Sequence, residues 1–538
     1  MFEDLISAAA RNGRALSIDR GRQLFVDDLL IDFTSLVRSH HRPAVSADSP
    51  VMRPETALER NNGVMPATAL FSDGVFFDPE DRLYKMWYMA GYDDALAYAH
   101  SADGIHWTRP DLAGQAGTNR VLPHVPGYRR NGCTVWLDHE ASSRDERFKA
   151  FLYYRRTDGH WPRGNPDPLP TEPEKGYIYT SPNGTDWTFR GQTGPCGDNS
   201  GMFYNALSGQ WVWSIRSKTC NYGRSRSYVA HRDFVAGAKW TYDDIKLLGT
   251  ADRFDRPDPG LHWRPELYKL DCVAYESIMI GLFGIYFGPP NEEAYAAGVP
   301  KTLDLFLGTS RDGFDWQRPS RQAFLRCSRT PDTWNRGYLH AAGGICLVIG
   351  DTLRFYFTGF SGVSPAQGGG PYADATIGYA TLRRDGFASM DGPGRTMPLV
   401  GIRQMIAKDV SHDPAEAHPG LLITKPVVFS GNWMFVNAAI ANGGKLRVAV
   451  LDPSGRPLDG FGFEDCEPLI ADSTKQAVRW RVGADLAGLA GRPLRFAFSL
   501  DAGSLYSFWV STAPNGASNG FVAAGGPGFT GATDTTGS

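Results

Sequence analysis

The chain has 538 residues, a formal net charge of −3 and a sequence pI of about 6.5. A nucleic-acid-binding protein would present a basic face or run, so this balance predicts no nucleic-acid partner. Aromatic residues make up 12% of the chain, with 14 Trp and 22 Tyr, and their flat faces suit packing between sheets or stacking on sugar rings. The length is ample for two or three domains.

The cysteines and the N-terminus predict the compartment. The seven cysteines are scattered without a Cys-x-x-Cys pair, which is neither a zinc pattern nor a disulfide scaffold, and reduced buried thiols favour the cytoplasm. Residues 1–23 form an N-terminal extension without an apolar core, and no later stretch is long and apolar enough to span a bilayer. We expect no membrane association, no bound metal and no cofactor. If the chain is the trimmed form of a precursor, we expect a periplasmic or secreted protein instead.

A short turn motif recurs along the first 400 residues. Ser101–Trp107, Ser181–Trp187 and Ser310–Trp316 follow the pattern Ser-x-Asp/Asn-Gly-x-x-Trp, and degenerate copies begin at His231 and Arg384. Asp-Gly and Asn-Gly supply the positive φ of a tight turn, and the Trp then packs on the returning strand. The motif is therefore predicted to be structural.

Ahead of each turn lies a strand pair rich in aromatic residues. Five such copies of three or four short strands, spaced roughly 50 to 80 residues apart, predict an all-β fold with a five-bladed β-propeller over residues 24–400. The segments are Val75–Asp78 with Tyr84–Tyr88, Thr134–Asp138 with Phe148–Tyr153, Met202–Asn205 with Trp211–Trp213, Glu276–Phe287, and Ile345–Val348 with Leu353–Phe357.

Other segments complete the predicted organisation. Residues 24–31 read as a strand that closes the ring against the last blade, and the Pro-rich residues 159–175 read as a loop over one propeller face. Residues 401–515 are predicted to form a C-terminal β-sandwich, and the Gly/Thr-rich residues 516–538 a flexible tail. The alternating segments behind the sandwich are 445–450, 477–482, 494–498 and 505–510.

Three acids are predicted to meet where the inner strands of the blades begin. Asp73 and Asp198 precede the strands of blades 1 and 3, and Glu276 opens the largely apolar strand of blade 4. Glycosidic cleavage needs one carboxylate as nucleophile or base and a second, with a raised pKa, as general acid. Asp73 and Asp198 also fit plain turns, whereas a carboxylate that opens a buried strand is costly unless it is paired or used.

Further residues near these positions are predicted to bind the sugar substrate or to pair with the acids. Blade 2 offers no acid at its strand start, and blade 5 offers a histidine. The predicted binding residues are Trp87, Arg130, Asn131, Arg264, Glu266, Asp271, Tyr275 and His340.

Residues 24–400 resemble the five-bladed superfamily of invertases, levansucrases, arabinanases and β-xylosidases. Those enzymes carry Asp, Asp and Glu at the inner-strand starts of separate blades. The resemblance implies that Asp73 is the nucleophile or base, Asp198 the transition-state stabiliser or pKa modulator, and Glu276 the general acid. It also implies a glycoside hydrolase acting on a carbohydrate, with a furanoside favoured, and the downstream sandwich is similar to the invertase layout.

Two stretches resemble a bacterial family more closely. Phe71–Val75 with Lys85–Tyr88, and Pro265–Tyr268 with Val273–Ser277, resemble a largely uncharacterised family of glycosyl hydrolases related to invertase. The motifs Trp-x-Asn-Asp-Pro-Asn, Arg-Asp-Pro and Glu-Cys of the known fructosidases are absent from the sequence.

Two alternatives remain open at this point. An inverting glycoside phosphorylase of the mannoside-phosphorylase type would use one acid and a phosphate-binding cluster such as Arg129, Arg130, Arg224, Arg226 and His340. A non-catalytic carbohydrate-binding propeller would bind sugar without cleaving it. A hydrolase would retain configuration with carboxylates about 5–5.5 Å apart and invert it at roughly 6.5–9.5 Å. The sugar, the linkage and the oligomeric state are not predicted.

Overall fold

The computed structural model describes residues 15–112, 117–156, 174–366, 368–392, 419–481, 483 and 485–538. Most of the predicted Pro-rich loop at residues 159–175 lies outside them. The described chain is almost all β, which confirms the predicted class. The strands are β1 Leu16–Ser17, β2 Gln23–Leu24, β3 Ile31–Thr34, β4 Val37–His40, β5 Ala44–Val45, β6 Thr68–Asp78, β7 Leu83–Ala90, β8 Ala95–Ser101, β9 Tyr128–Leu137, β10 Phe148–Arg156, β11 Lys175–Ser181, β12 Thr188–Pro195, β13 Gly201–Asn205, β14 Gln210–Thr219, β15 Gly223–His231, β16 Lys246–Thr250, β17 Glu266–Glu276, β18 Ile278–Gly288, β19 Thr302–Ser310, β20 Gly337–Ile349, β21 Thr352–Phe360, β22 Val363–Ser364, β23 Gly368–Gly369, β24 Ala375–Arg383, β25 Ala388–Asp391, β26 Gly420–Thr424, β27 Val427–Val428, β28 Trp433–Ile440, β29 Leu446–Leu451, β30 Asp472–Ala477, β31 Arg495–Leu500, β32 Gly503–Ser511 and β33 Phe521–Val522.

Helices are short. The α-helices are α1 Ala57–Arg60 and α2 Asn291–Ala297, and the 3₁₀ turns are Asn61–Gly63, Arg144–Glu146, Ala236–Ala238, Tyr242–Asp244 and Ala487–Leu489. No helix in the described part of the chain has the length and apolarity to cross a bilayer.

The chain divides into two compact units. The division differs from the predicted boundaries at residues 24, 400 and 515, because strands from both ends of the chain enter the second unit. The first unit comprises the described residues of 42–382 and 522–532, and the second comprises those of 15–41, 383–521 and 533–538.

The first unit contains five antiparallel sets of strands: β6–β8, β9–β12, β13–β16, β17–β19, and β20, β21, β24 and β5. The first strands of the sets lie side by side. Strand β6 pairs in parallel with β9 and β20 beside Ser72, whose hydroxyl donates to Asp271 in β17. The Met202 N–H in β13 donates to Thr134 Oγ1 in β9 at 3.2 Å. One end of this unit therefore gathers the beginnings of all five first strands, and we call it the site end; the opposite end, where β6, β8 and β17 finish, is the turn end.

The repeated turn motif lies at the turn end and joins neighbouring sets. In the second copy, Gly184 has φ +85° and its N–H donates to Ser181 Oγ at 2.8 Å. A Cβ on Gly184 would lie 2.3 Å from Trp87 Cζ2, and Trp87 Nε1 donates to the Gly184 carbonyl at 2.6 Å. Asn205 Nδ2 makes the matching bond to the Asp312 carbonyl at 2.7 Å. The structural role predicted for the motif is confirmed, and Trp87 belongs to this joint rather than to a sugar site.

The predicted strand at residues 24–31 does not close the ring of sets. Strand β2 pairs with β32 and strand β3 with β26, both within the second unit. The fifth set is instead completed by β5, in which Ala44 and Val45 pair with Thr381 and Ala380 of β24. The prediction is wrong because the apolar 24–31 segment contributes to the core of the second unit.

The fourth set begins ten residues earlier than predicted. Its first strand is β17, Glu266–Glu276, and the apolar run that continues from Ile278 forms the second strand, β18. Glu276 is the last residue of β17 and has φ +50°, so the hairpin turns at Glu276–Ser277 without Gly, Pro or Asn. The prediction that Glu276 heads a first strand is wrong, because this turn lacks the usual sequence signals.

The second unit contains two main sheets. One has the order β30–β28–β32–β25–β4, with β2 also on β32, and the other has the order β29–β31–β26–β3. Buried residues of both sheets form one hydrophobic cluster, in which the Phe25 ring lies 6.3 Å from Phe498 and 5.8 Å from Phe508. Of the predicted segments, 477–482 is displaced, since β30 ends at Ala477.

The C-terminal tail, residues 516–538, is ordered, which contradicts the predicted flexible tail. Within the first unit, the Ala523 N–H donates to the Ala274 carbonyl at 3.1 Å, and the Val348 N–H donates to the Gly525 carbonyl at 2.9 Å. A Cβ on Gly526 would lie 1.8 Å from the Val348 carbonyl oxygen. The glycines that suggested disorder let the tail backbone approach the strands closely.

Candidate active site

A chain of hydrogen bonds joins all five sets at the site end. Asn131 Nδ2 on β9 donates to Asp93 in the turn between β7 and β8, at 3.0 Å. The N–H of Asn199, which precedes β13, donates to Asn131 Oδ1 at 3.0 Å, and Asn199 Nδ2 donates to Tyr268 Oη on β17 at 3.2 Å. Tyr268 Oη lies 2.7 Å from Tyr338 Oη on β20. We call these five residues the polar network.

Aromatic contacts lead from the fifth set back to the first. The Tyr372 ring lies 5.8 Å from Tyr338 and is stacked on Tyr92 at 4.7 Å. Lys301 Nζ donates to Tyr372 Oη at 2.6 Å and lies 5.0 Å from the Tyr338 ring centre. Burial lowers the pKa of Lys301 well below its usual value. The polar network is thereby closed into a ring of side chains.

Asp93 is the one carboxyl group among the described side chains of this ring. Its side chain is buried, and burial raises its pKa to about 6, although the Arg155 charge and the Asn131 hydrogen bond oppose the shift. Among the described residues Asp93 forms no ion pair, and its partner is the Asn131 amide. A buried carboxyl group with such a pKa can donate a proton to a leaving group.

Asp198 lies beside Asn199 and carries an ion pair on each oxygen. Arg155 Nη2 donates to one oxygen at 2.6 Å, and Arg216 Nη1 donates to the other. Burial alone would lower the pKa of Arg155, but the charges of Asp198 and Asp93 raise it above its usual value. Arg155 therefore lies within electrostatic reach of both carboxyl groups.

Glu266 brings a third carboxyl group to the site end. It is the first residue of β17, and it accepts hydrogen bonds from Arg224 Nη1 at 2.5 Å and from the Arg224 N–H at 3.0 Å. The Arg224 guanidinium lies 5.4 Å from the Tyr268 ring centre, so this pair adjoins the polar network. The structure thus places three carboxyl groups from three sets at the site end: Asp93, Asp198 and Glu266.

Two other predicted acids lie within the first strands. Asp73 is fully buried, and Arg130 Nη2 contacts both its oxygens at 2.5 Å. Asp73 has φ +28°, because β6 bulges between Ala69 and Gly74. Burial raises the pKa of Asp73, although Arg130 opposes the shift, and burial likewise raises that of Asp271. These two acids make contacts inside the unit rather than at the strand starts.

His340 lies on β20 between aromatic rings, 4.1 Å from Phe71 and 4.5 Å from Tyr338. Neither ring nitrogen has a hydrogen-bond partner among the described residues. Burial, together with the nearby charges of Lys269, Lys301 and Arg226, lowers the pKa of His340 well below its usual value. His340 is therefore a buried neutral group that adjoins the polar network.

The predicted trio of Asp73, Asp198 and Glu276 does not meet. Glu276 lies ten residues beyond Glu266 on β17, which at about 3.3 Å per residue is roughly 30 Å. It is also five residues beyond Asp271, whose carboxylate accepts a hydrogen bond from Ser72. Glu276 therefore lies about 16 Å farther along the strand direction than Asp73, the neighbour of Ser72. The predicted convergence is wrong, because the sequence prediction put Glu276 at the start of a first strand, whereas it is the last residue of β17.

The remaining predicted residues divide between the two ends. Asn131 lies in the polar network, and Arg130, the preceding residue on β9, binds Asp73. Arg264 is exposed near the site end and donates to the Asn221 carbonyl. Tyr275 is buried at the turn end next to Glu276. Trp87 is buried, and its Nε1 donates to the Gly184 carbonyl.

Several residues of the site end were not predicted from the sequence. Asp93 stands in Gly91-Tyr-Asp-Asp94, an acidic hairpin turn that could have been recognised once β7 and β8 were aligned. Arg155 and Arg216 occupy second strands, and Lys301 precedes a third strand, where no local signal marks them. No group of three or more His, Cys, Asp or Glu side chains that could hold a metal is found among the described residues.

No protein-family model and no curated protein matches the chain. Solved structures do match, among them an N-acetylgalactosamine deacetylase from F. plautii in complex with blood group B trisaccharide, with 14% identity over 65% of this chain and 96% of that one and a TM-score of 0.44. A fructofuranosidase from Schwanniomyces occidentalis complexed with fructosylnystose has 12% identity over 85% and 98%, with a TM-score of 0.37. An exo-β-1,3-galactanase from Phanerochaete chrysosporium has 10% identity over 88% and 99%, with a TM-score of 0.32. The matching structures thus include glycoside hydrolases, at similarities that do not assign an activity to this chain.

Proposed function

We propose that the first unit is a five-bladed β-propeller with a glycoside hydrolase site, and that the second unit is a β-sandwich. Five antiparallel sets with adjacent first strands, joined in a ring by the polar network and the Tyr372 and Tyr92 rings, support the propeller. Two sheets with one shared hydrophobic cluster support the sandwich.

The reaction follows from two carboxyl groups in unlike surroundings. Asp93, with its raised pKa, donates a proton to the glycosidic oxygen, while Asp198 serves as nucleophile or as the base that activates water. Arg155 and Arg216 hold the Asp198 carboxylate in place, and Asn131 orients Asp93. The observation that carries the proposal is the linkage of Asp93 to the residue next to Asp198 through Asn131.

The substrate class is a glycoside or oligosaccharide, and the resemblance to the furanosidase superfamily favours a furanoside. Glu266, held by Arg224, is suited to accept hydrogen bonds from sugar hydroxyls beside the acid pair.

A panel of aryl glycosides, with and without inorganic phosphate, tests this function in the full-length chain. We expect phosphate-independent release of the aryl group by the wild type, a large loss in Asp93→Asn and Asp198→Asn, and near-normal turnover per folded molecule in Glu276→Gln. Turnover that requires phosphate would indicate the phosphorylase, and sugar binding without cleavage would indicate a binding propeller. Loss confined to Glu276→Gln would restore the assignment made from the sequence.

A further inference from the structure

One guanidinium group at the site end has an unused edge. Arg226, on β15, is 1% exposed, and its Nη1 donates to the Asn199 carbonyl at 2.8 Å. Its Nε and Nη2 have no hydrogen-bond partner among the described residues. Those two N–H groups lie on the same edge of the guanidinium plane, the edge that binds both oxygens of a carboxylate.

Burial makes this unused edge costly. Burial lowers the pKa of Arg226 to about 10, so the group still carries its charge at neutral pH. A buried cation that lacks partners for its donors loses hydration without compensation. A ligand that brings an acceptor to this edge would supply what the protein does not.

His340 offers a second unpartnered group in the same neighbourhood. Its ring lies 6.1 Å from the Tyr268 ring, and Tyr268 is bonded to Asn199, the residue that Arg226 also contacts. The Arg226 charge acts on the His340 ring. A neutral imidazole can donate one hydrogen bond, so His340 is a second potential donor at the site end.

Two acids of the site end are already paired with other cations. Asp198 is held by Arg155 and Arg216, and Glu266 is held by Arg224. Arg226 forms no ion pair within the described part of the chain, although the charges of Asp271 and Asp198 act on it. The Nε and Nη2 donors of Arg226 are therefore left without an acceptor among the described residues.

We propose that Arg226 and His340 form an oxyanion subsite of the active site, which takes the carboxylate of an acidic sugar. This inference rests on the proposed function, since it places the charged substituent of the substrate beside Asp93 and Asp198. The same donors fit a phosphate oxyanion, so the experiment must separate a charged sugar from free inorganic phosphate.

Calorimetric titration of the full-length protein with glucuronate, galacturonate, glucose, galactose and inorganic phosphate tests the subsite. We expect the uronates to bind at least about 10-fold more tightly than the matching neutral sugars, because a charge-assisted bidentate pair is gained. Arg226→Lys keeps the charge but loses the fork and should weaken uronate binding about 10-fold or more, with neutral sugars unchanged. Arg147→Lys, at a buried arginine whose donors bind Asp78 and Glu80 at the turn end, is the matched control and should bind like the wild type.

The outcomes separate this inference from the proposed function. Uronate preference that disappears in Arg226→Lys supports the subsite even if no aryl glycoside is cleaved. Phosphate binding that disappears in the variant, with no uronate preference, supports the oxyanion subsite with free phosphate as its source, and turnover should then depend on phosphate. Equal binding of uronates and neutral sugars without phosphate binding, or binding unaffected by Arg226→Lys, overturns the proposal whatever the enzyme cleaves.

Discussion

Two buried aspartates lie at opposite ends of the first antiparallel set, and their hydrogen-bond partners differ. Asp78 ends β6 at the turn end and accepts hydrogen bonds from Lys85 Nζ at 2.7 Å and Arg147 Nη1 at 2.8 Å. Burial would raise the pKa of Asp78, but these hydrogen bonds outweigh burial and lower it well below the usual value. Asp93 at the site end has an amide in place of cations, and burial raises its pKa to about 6.

The comparison shows that burial alone does not mark a chemical group. Both carboxyl groups are nearly inaccessible, with Asp78 0% and Asp93 5% exposed. What differs is the partner: cations fix Asp78 in its charged form, whereas Asn131 leaves Asp93 free to gain and lose a proton near neutral pH. The ion pairs of Asp78 thus stabilise the turn end, whereas the surroundings of Asp93 suit the proton transfer that we propose for the site end.

The largest expected effect is on turnover in Asp93→Asn. The amide keeps the shape of the side chain but has no proton to deliver, so kcat/KM should fall by about 10²- to 10⁴-fold. Steady-state kinetics on the best aryl glycoside measure it, with Glu276→Gln as the buried-acid control at the turn end. A loss of less than about fivefold in Asp93→Asn, far below what general acid catalysis supplies, contradicts the acid assignment.

The next effect is on stability in Asp78→Asn. Removing this charge takes the buried carboxylate from Lys85 and Arg147, which keep the partly exposed Asp81 and Glu80 as partners, and should lower the free energy of unfolding by at most about 3–5 kcal/mol. Denaturant titration measures the loss, and kcat per folded molecule should stay within twofold of the wild type. A stable variant that has lost its turnover would place chemistry at the turn end and reverse the comparison.

A smaller effect has the opposite sign and depends on pH. Because the folded-state pKa of Asp93 is raised from 3.8 to about 6, the folded protein binds the proton more tightly, and stability falls as pH rises through that window. Above pH 6 the ionised form costs roughly 2–3 kcal/mol. Asp93→Asn should therefore be more stable than the wild type at pH 8 and not at pH 4.

Melting temperatures of the wild type and Asp93→Asn from pH 4 to pH 8 measure this pH-dependent difference in stability. The Asp78→Asn protein serves as the control, since a carboxyl group whose pKa is lowered contributes stability above the unfolded value of 3.8 and loses it only in acid. If Asp93→Asn gives a constant difference at every pH, then Asp93 does not titrate near 6.

The repeat carried most of the sequence prediction for the first unit. The Ser-x-Asp/Asn-Gly turns are local, and Gly184 with φ +85° adopts the conformation that its motif requires. The site depended instead on strand register. One missed turn at Glu276–Ser277, in a run without Gly, Pro or Asn, shifted the fourth set and moved Glu276 to the wrong end.

The partners of the acids could not be read from local sequence. Arg155 and Arg216 reach Asp198 from second strands of two different sets, and neither position carries a motif. Asp93 is marked by its burial and by its contact with Asn131, which lies 38 residues away. These are properties of the assembled unit. The sequence named Asn131, Asp198 and Glu266, which lie at the site end, but it did not name Asp93.

The smallest expected effect tests how Asn131 tunes Asp93. The amide donates to the carboxylate and so favours its charged form, which lowers the pKa against the larger effect of burial. In Asn131→Leu the pKa of Asp93 should rise, and the alkaline limb of the kcat/KM profile should move upward by up to about one pH unit.

Asn119→Leu is the matched control for this shift. Asn119 is also a buried amide, and it donates to Tyr88 Oη and to the Tyr98 carbonyl at 2.8 Å, so its loss should lower stability without moving the limb. An unmoved limb in Asn131→Leu would mean that the group titrating in the profile is not Asp93. A limb that moves in both variants would trace the shift to general loosening of the first set, whereas movement in Asn131→Leu alone ties the proton to the side chain that Asn131 contacts.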